Sequence, residues 1–184
     1  MRDLNFGYED YGKPFLKDSE VQFNLSHTDG LIACSVARRR MGIDVEKMAE
    51  GEKKGRNWRL LVERFFSMDE KKYLSSHDLE NQNRIFYRIF TMKEAVLKAT
   101  GSGLNRFSEN VSVPLTMAEK ISGDGWDYFV KFFEPGGFCL SHAAENRDCP
   151  PKYRLFEWAE SFFENRFKFD SPNLMEGTYG HLHG

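Results

Sequence analysis

Hydrophobic and polar positions change their period along this chain, and the changes mark its elements. Residues 5–20 are mixed and rich in turn formers, with Tyr11-Gly12-Lys13-Pro14 among them. From Val21 to Leu25 apolar and polar residues alternate, which predicts a strand with one buried face. Leu31 to Ala37 is mostly apolar, and Met41 to Glu46 alternates again. Thr28-Asp29-Gly30 supplies turn chemistry between the first two segments, and Arg38-Arg39-Arg40 lies between the second pair as a solvated turn. A small antiparallel meander is the simplest arrangement of the three.

The period then lengthens. Residues 48–58 are charged, contain glycine and read as a loop. Helical patterning begins near Arg59, and Ser67-Met68-Asp69-Glu70 matches a capping box that opens a second helix toward Leu74. Residues 75–83 read as a polar linker. The strongest helix is predicted from about Arg84 to Thr100, where Ile85, Ile89, Met92, Val96 and Ala99 share one face. Gly101 and Gly103 stop it. Val111–Pro114, Tyr128–Phe133 and Phe138–His142 read as strands, and Arg154–Phe167 as a terminal helix. Strands, then helix, then strands predict an α+β fold with a faint internal duplication.

Composition narrows the function classes. The chain has 184 residues, of which 40% are hydrophobic and 17 are Phe, enough for a packed core. Lys and Arg number 26 against 28 Asp and Glu, a net charge of −2. Bulk electrostatics therefore favour neither nucleic acid nor an anionic membrane as partner. Cys34, Cys139 and Cys149 are odd in number and form no C-x-x-C, so neither a disulfide framework nor a zinc site is suggested. The polar start at Met1 lacks a signal core, no apolar run reaches membrane-spanning length, and the cytoplasm is the expected compartment. His181 and His183 sit in a glycine-containing tail.

The candidate chemistry is acidic. Asp44 and Glu46 lie two apart on a predicted strand, so both carboxylates share one face, roughly 7 Å apart. Like charges that close call for a cation between them; a solvated strand face is the plainer reading of the pair alone. Glu94 and Lys98 lie four apart on the strongest helix. Alone they read as a surface ion pair worth about 0.3–0.5 kcal/mol. Together with Asp44 and Glu46 they offer three carboxylates for a hard cation and a lysine for a phosphate. Ser26 and His27 end the first strand; each could serve a phosphate, or simply finish a turn.

The order Asn24-Leu25-Ser26-His27, Gly42-Ile43-Asp44-Val45-Glu46-Lys47, Arg64-Phe65-Phe66-Ser67 and Thr91-Met92-Lys93-Glu94-Ala95-Val96-Leu97-Lys98, with Tyr11-Gly12-Lys13-Pro14 ahead, resembles the Sfp-type 4′-phosphopantetheinyl transferases. The resemblance spans about residues 6–114. It implies a pseudo-twofold pair of α+β lobes with coenzyme A in the cleft. It implies magnesium, with manganese as a substitute, on Asp44, Glu46 and Glu94. Lys98 would contact coenzyme A phosphates, and Lys13, Ser26 and His27 the nucleotide phosphates. Phe90 stands where the family usually has Trp. Family members carry a further segment ahead of the Gly-Lys-Pro motif, whereas here Met1 to Tyr11 precede Gly12. The expectation is a first lobe left incomplete over residues 1–47, a second lobe over 48–170 with the catalytic helix, and a flexible tail over 171–184. Self-association, most simply as a homodimer, would cover the apolar surface so left open.

The implied reaction moves phosphopantetheine from coenzyme A to a serine of an apo acyl or peptidyl carrier protein, in fatty-acid, polyketide or nonribosomal peptide synthesis. Glu94 is the candidate base, and Lys98 and Lys47 the groups that stabilise the departing phosphate. Glu70 is accounted for by its cap. Two rivals stand beside this reading: a remnant that binds coenzyme A or a carrier without turnover, and a magnesium-dependent nuclease or phosphodiesterase.

Overall fold

The computed structural model describes residues 4–48, 58–101, 111–113, 115, 120–123, 126–134, 136–145, 154–155 and 175–176. The chain divides into two compact units, Met1–Arg147 and Asp148–Gly184. In the first, β1 (Phe6–Tyr8) and β2 (Pro14–Leu16) form a small antiparallel hairpin. Next, β3 (Gln22–Thr28) and β4 (Leu31–Ala37) pair antiparallel across the predicted turn, where Gly30 takes a φ of +87°. The strand β5 (Met41–Lys47) leaves that pair. It is the edge of a four-stranded antiparallel sheet ordered β5-β8-β7-β6, built with β6 (Lys120–Gly123), β7 (Trp126–Phe133) and β8 (Phe138–Ala144). The expected meander is thus corrected to a hairpin plus a strand of a different sheet.

The reason lies in three side chains. The N–H groups of Ile43, Val45 and Lys47 do not meet backbone carbonyls of the hairpin. They donate to Asn24 Oδ1 at 2.8 Å, Ser26 Oγ at 3.2 Å and Thr28 Oγ1 at 3.2 Å. Each rung joins residues 19 apart, so β3 runs alongside β5 with its side-chain face on the sheet edge. Asn, Ser and Thr can accept where a second backbone cannot reach, which protects an edge strand from foreign pairing. An apolar cluster of Ala33, Ile43 and Val45 fills the same interface.

Between β5 and β6 run α1 (Trp58–Phe65), α2 (Met68–Ser75) and α3 (Leu79–Thr100). The capping box opens α2 as predicted: Ser67 Oγ accepts from Glu70 N at 3.3 Å, and Glu70 Oε2 accepts from Ser67 N at 2.7 Å. The main helix begins earlier than the apolar stripe indicates, because Asp78 caps it by accepting from Asn81 N at 2.9 Å. It ends where predicted, at Gly101 with φ of 73°. Every residue from Phe90 to Leu97 is buried, so this stretch is core on all sides. Phe66, Phe86 and Phe90 stack in series, with ring centroids 5.7 and 5.6 Å apart. Truncating Phe86 to Ala would cost about 3–5 kcal/mol by the usual cavity penalty.

Gly42 fixes how closely β5 meets α3. A Cβ there would stand 2.0 Å from the Ala95 carbonyl oxygen and 2.5 Å from the Ala99 nitrogen, so the helix backbone rests directly on the strand. Asp44 and Glu46 follow on the same face. Arg40 is not a solvated turn residue as expected. It pairs with Glu9 at 2.7 Å and donates to Ala99 O at 3.3 Å, placing a cation at the helix C-terminus.

Val111 and Val113 are buried, yet they form no strand: the Val113 N–H bonds to the Glu70 carboxylate at 2.8 Å. In the second unit, β9 (Arg154–Leu155) pairs with β10 (Met175–Glu176). The expected helix from Arg154 therefore starts with two strand residues, and its remainder lies outside the described residues. So do residues 49–57 of the expected loop and most of the tail. Helices packed on antiparallel sheet make the fold α+β, as predicted. No described helix is long and apolar enough to cross a membrane.

Candidate active site

Asp44 sits in the middle of β5, opposite Ser141 of β8, and is 4% exposed. Its Oδ1 accepts from Ser26 Oγ at 3.0 Å and from Lys98 Nζ at 2.7 Å. Lys98 Nζ also donates to Ser26 Oγ at 2.9 Å. Strand β3, strand β5 and helix α3 thus meet at one oxygen. The other oxygen, Oδ2, is buried and has no hydrogen-bond partner among the described residues. A buried acceptor without a donor costs about 1–3 kcal/mol. An acceptor-only carboxylate oxygen suits a cation, so the residues present fit a magnesium ion at this atom.

Glu94 lies one turn before Lys98 on α3 and is 9% exposed. Glu46 shares the Asp44 face and is half-buried. Among the described residues, no three acidic, histidine or cysteine side chains stand together as a ready metal-binding group. Lys98 supplies the positive partner of Asp44 instead. Carboxylates facing one another without a cation repel, and an ammonium at one of them relieves that repulsion.

The other site residues predicted from sequence are spread more widely. Ser26 and His27 point to opposite faces of β3: Ser26 is buried against Asp44, while His27 is exposed. Lys47 is exposed at the end of β5, with Nζ 2.7 Å from Asp29, whose carboxyl this lysine holds below its usual range. Lys13 is turned away from Asp44. Its Nζ donates to Met41 O and Ala99 O, both at 3.1 Å, tying the start of β5 to the end of α3. Burial, with Arg40 nearby, lowers its pKa to about 8.

Sequence reasoning missed a second lysine–carboxylate pair on the same helix. Lys93, the residue before Glu94, is buried, with Nζ 2.8 Å from Glu70 Oε2. It also donates to Phe65 O at 2.8 Å and Val111 O at 2.6 Å. Burial lowers the Lys93 pKa, and Glu70 opposes that shift. The available signal was a lysine with Ile89, Phe90, Val96 and Leu97 three and four positions away along the helix. Two further polar contacts were also unforeseen. Thr91 Oγ1 lies 2.8 Å from Ser141 Oγ, joining α3 to β8. His142 Nε2 lies 2.8 Å from Ser35 Oγ, and burial pushes its pKa down to about 4.

A sequence model of the 4′-phosphopantetheinyl transferase superfamily matches residues 40–154. A curated 4′-phosphopantetheinyl transferase of Bacillus subtilis is 34% identical over 113 residues, covering 61% of this chain and 48% of that protein. The 4′-phosphopantetheinyl transferase HetI of Nostoc sp. is 39% identical over 121 residues, covering 63% of this chain and 49% of the relative. The transferase Sfp of Bacillus subtilis strain 168 is 28% identical over 164 residues, covering 86% and 70% respectively. The chain thus spans about half the length of the first two relatives. Among solved structures, a holo-(acyl-carrier-protein) synthase from Bacillus anthracis aligns with a TM-score of 0.43 at 18% identity, covering 56% of this chain and 92% of that one.

Proposed function

This chain belongs to the 4′-phosphopantetheinyl transferase superfamily, and we propose that it transfers 4′-phosphopantetheine from coenzyme A to a serine of an apo acyl or peptidyl carrier protein. The observation that carries the reading is the Asp44 corner. One oxygen is held by Ser26 and Lys98, and the other is buried without a donor. A residue so placed is poor for stability and good for a ligand.

Asp44, Glu46 and Glu94 would hold magnesium, or manganese in its place. Bound there, the ion would neutralise pyrophosphate oxygens and polarise the phosphorus that carries pantetheine. The chain's own groups do the rest. Lys98, 29% exposed at its side chain, can turn from Asp44 to a phosphate as a point charge. Glu94 takes the proton of the carrier serine as its oxygen bonds to phosphorus. The bond from that phosphorus to the bridging oxygen breaks, and 3′,5′-ADP leaves with its charge met by Lys98 and Lys47. His27 and Lys47 are exposed and available to nucleotide phosphates. Lys13 would act there once freed from its two carbonyls. We place the enzyme in the cytoplasm, with no nucleic-acid or membrane partner. A homodimer is also proposed, as a means of covering exposed apolar side chains such as Leu60 and Met68, which are 65% and 67% exposed.

The test is intact-mass measurement of an apo carrier protein incubated with the chain, coenzyme A and magnesium. A serine-linked phosphopantetheine mass gain is expected. Coenzyme A or carrier binding without that gain would replace the transferase by a binding remnant.

A further inference from the structure

The three-rung contact between β3 and β5 has a middle rung unlike the outer two. Asn24 Oδ1 and Thr28 Oγ1 each accept from a β5 amide. Ser26 Oγ accepts from the Val45 amide and from Lys98 Nζ, and donates its proton to Asp44 Oδ1. One donor and two acceptor sites are all that a hydroxyl has, so Ser26 is saturated. Its donated proton and the Lys98 ammonium both fall on the same oxygen of Asp44. That choice leaves Oδ2 as the free acceptor. The outer rungs fix where β3 lies along β5, and with it the height of Ser26 against Asp44.

We propose that Ser26 is a positioning residue that acts through Asp44. Anchored by the Val45 amide, its hydroxyl fixes the carboxylate rotamer so that Oδ2 is presented to a divalent cation. This inference rests on the reading of Asp44 as a cation ligand. It differs from a direct phosphate contact, for which the saturated hydroxyl would have to break a bond it already makes. Hydrogen-bonded outer partners of metal ligands commonly govern affinity by 10–100-fold.

The experiment uses Mn²⁺ alone, titrated into the full chain and followed by the electron paramagnetic resonance of the free ion. Ser26→Ala should weaken Mn²⁺ binding about tenfold or more, and Ser26→Thr, which keeps the hydroxyl, should restore it. Thr28→Val removes an outer rung and should leave affinity within about twofold. Amide hydrogen exchange should quicken at Val45 in the first variant and at Lys47 in the last. Asp44→Asn separates the two levels of the argument. If it binds Mn²⁺ as well as the unchanged chain, or if the unchanged chain binds none, the cation reading falls and the inference falls with it. If Asp44→Asn loses binding while Ser26→Ala keeps it, or Ser26→Thr fails to restore it, the positioning role alone is overturned.

Discussion

Helix α3 carries two lysines five positions apart, each paired with a carboxylate, and the two pairs are built to different standards. At Lys93 and Glu70 the side chains are 3% and 0% exposed, and both Glu70 oxygens are engaged. One takes the Ser67 N–H and Lys93; the other takes the Val113 N–H. At Lys98 and Asp44 the side chains are 29% and 6% exposed, and one carboxylate oxygen has no donor among the described residues. A buried charge that is fully hydrogen-bonded holds structure together. One that is half-satisfied is kept at a cost, which under the proposed function a bound ligand would offset. The first pair pins α1, α2 and the Val111–Val113 segment to the helix just before Glu94. The second stands beyond Glu94, beside the face of β5 that carries Glu46.

Breaking the complete pair should do the greatest damage. Lys93→Ala leaves the Glu70 carboxylate buried without its cation and should cost about 3–5 kcal/mol of stability, measured by denaturant unfolding. Glu70→Leu combined with Lys93→Met should cost clearly less than the two single changes added together. Additive losses would show that the pair does not act as a unit.

The incomplete pair should respond the opposite way. Asp44→Asn should change unfolding stability by no more than about 1 kcal/mol, because Lys98 keeps contact with water. The same variant should lower phosphopantetheine transfer by about a hundredfold or more, as loss of a transition-state electrostatic group does. A large stability loss with transfer intact would erase the contrast between the pairs.

Lys98→Ala should reduce transfer by about tenfold or more, with kcat falling and KM for coenzyme A rising together. A change in KM alone would confine Lys98 to binding.

The smallest expected effect sharpens the structural side. His142 is partly buried and held neutral, with a folded pKa of about 4 against 6.5 for the free side chain. Above pH 6.5 it is neutral in both states and contributes no pH dependence. As pH falls from 6.5 toward 4 the unfolded chain takes up a proton that the folded chain refuses, so stability declines. His142→Gln should flatten that part of the stability profile without altering transfer at neutral pH.

Much of this was legible in the sequence because it is local. The Ser67–Glu70 box and the Gly101 stop depend on neighbours within four residues, and both formed as predicted. So did the shared face of Asp44 and Glu46, which follows from strand period alone. What escaped was set by distant contacts. The alternation in β5 is the same whether its partner is β4 or β8, so the meander could not be told from the true pairing. Ser26 read as a phosphate contact or a turn residue and Thr28 as part of a turn, because the amides they accept come from β5, 19 residues away. Lys93 drew no reading beyond its place in the family motif, since its acceptors come from α1, α2 and the segment after α3. The helix start at Asp78 was local and readable, but the apolar stripe drew attention to Arg84, six residues past it.

The most direct test of the contrast is thermal unfolding of the unchanged chain and of Asp44→Asn, each with and without magnesium plus coenzyme A. Ligand that binds only the folded state raises Tm, with a stabilisation that grows as the logarithm of its concentration over Kd. The account predicts a clear, magnesium-dependent rise for the unchanged chain and little or none for Asp44→Asn. Equal rises in both proteins would mean that the free oxygen of Asp44 faces no ligand, and would contradict the account at its centre.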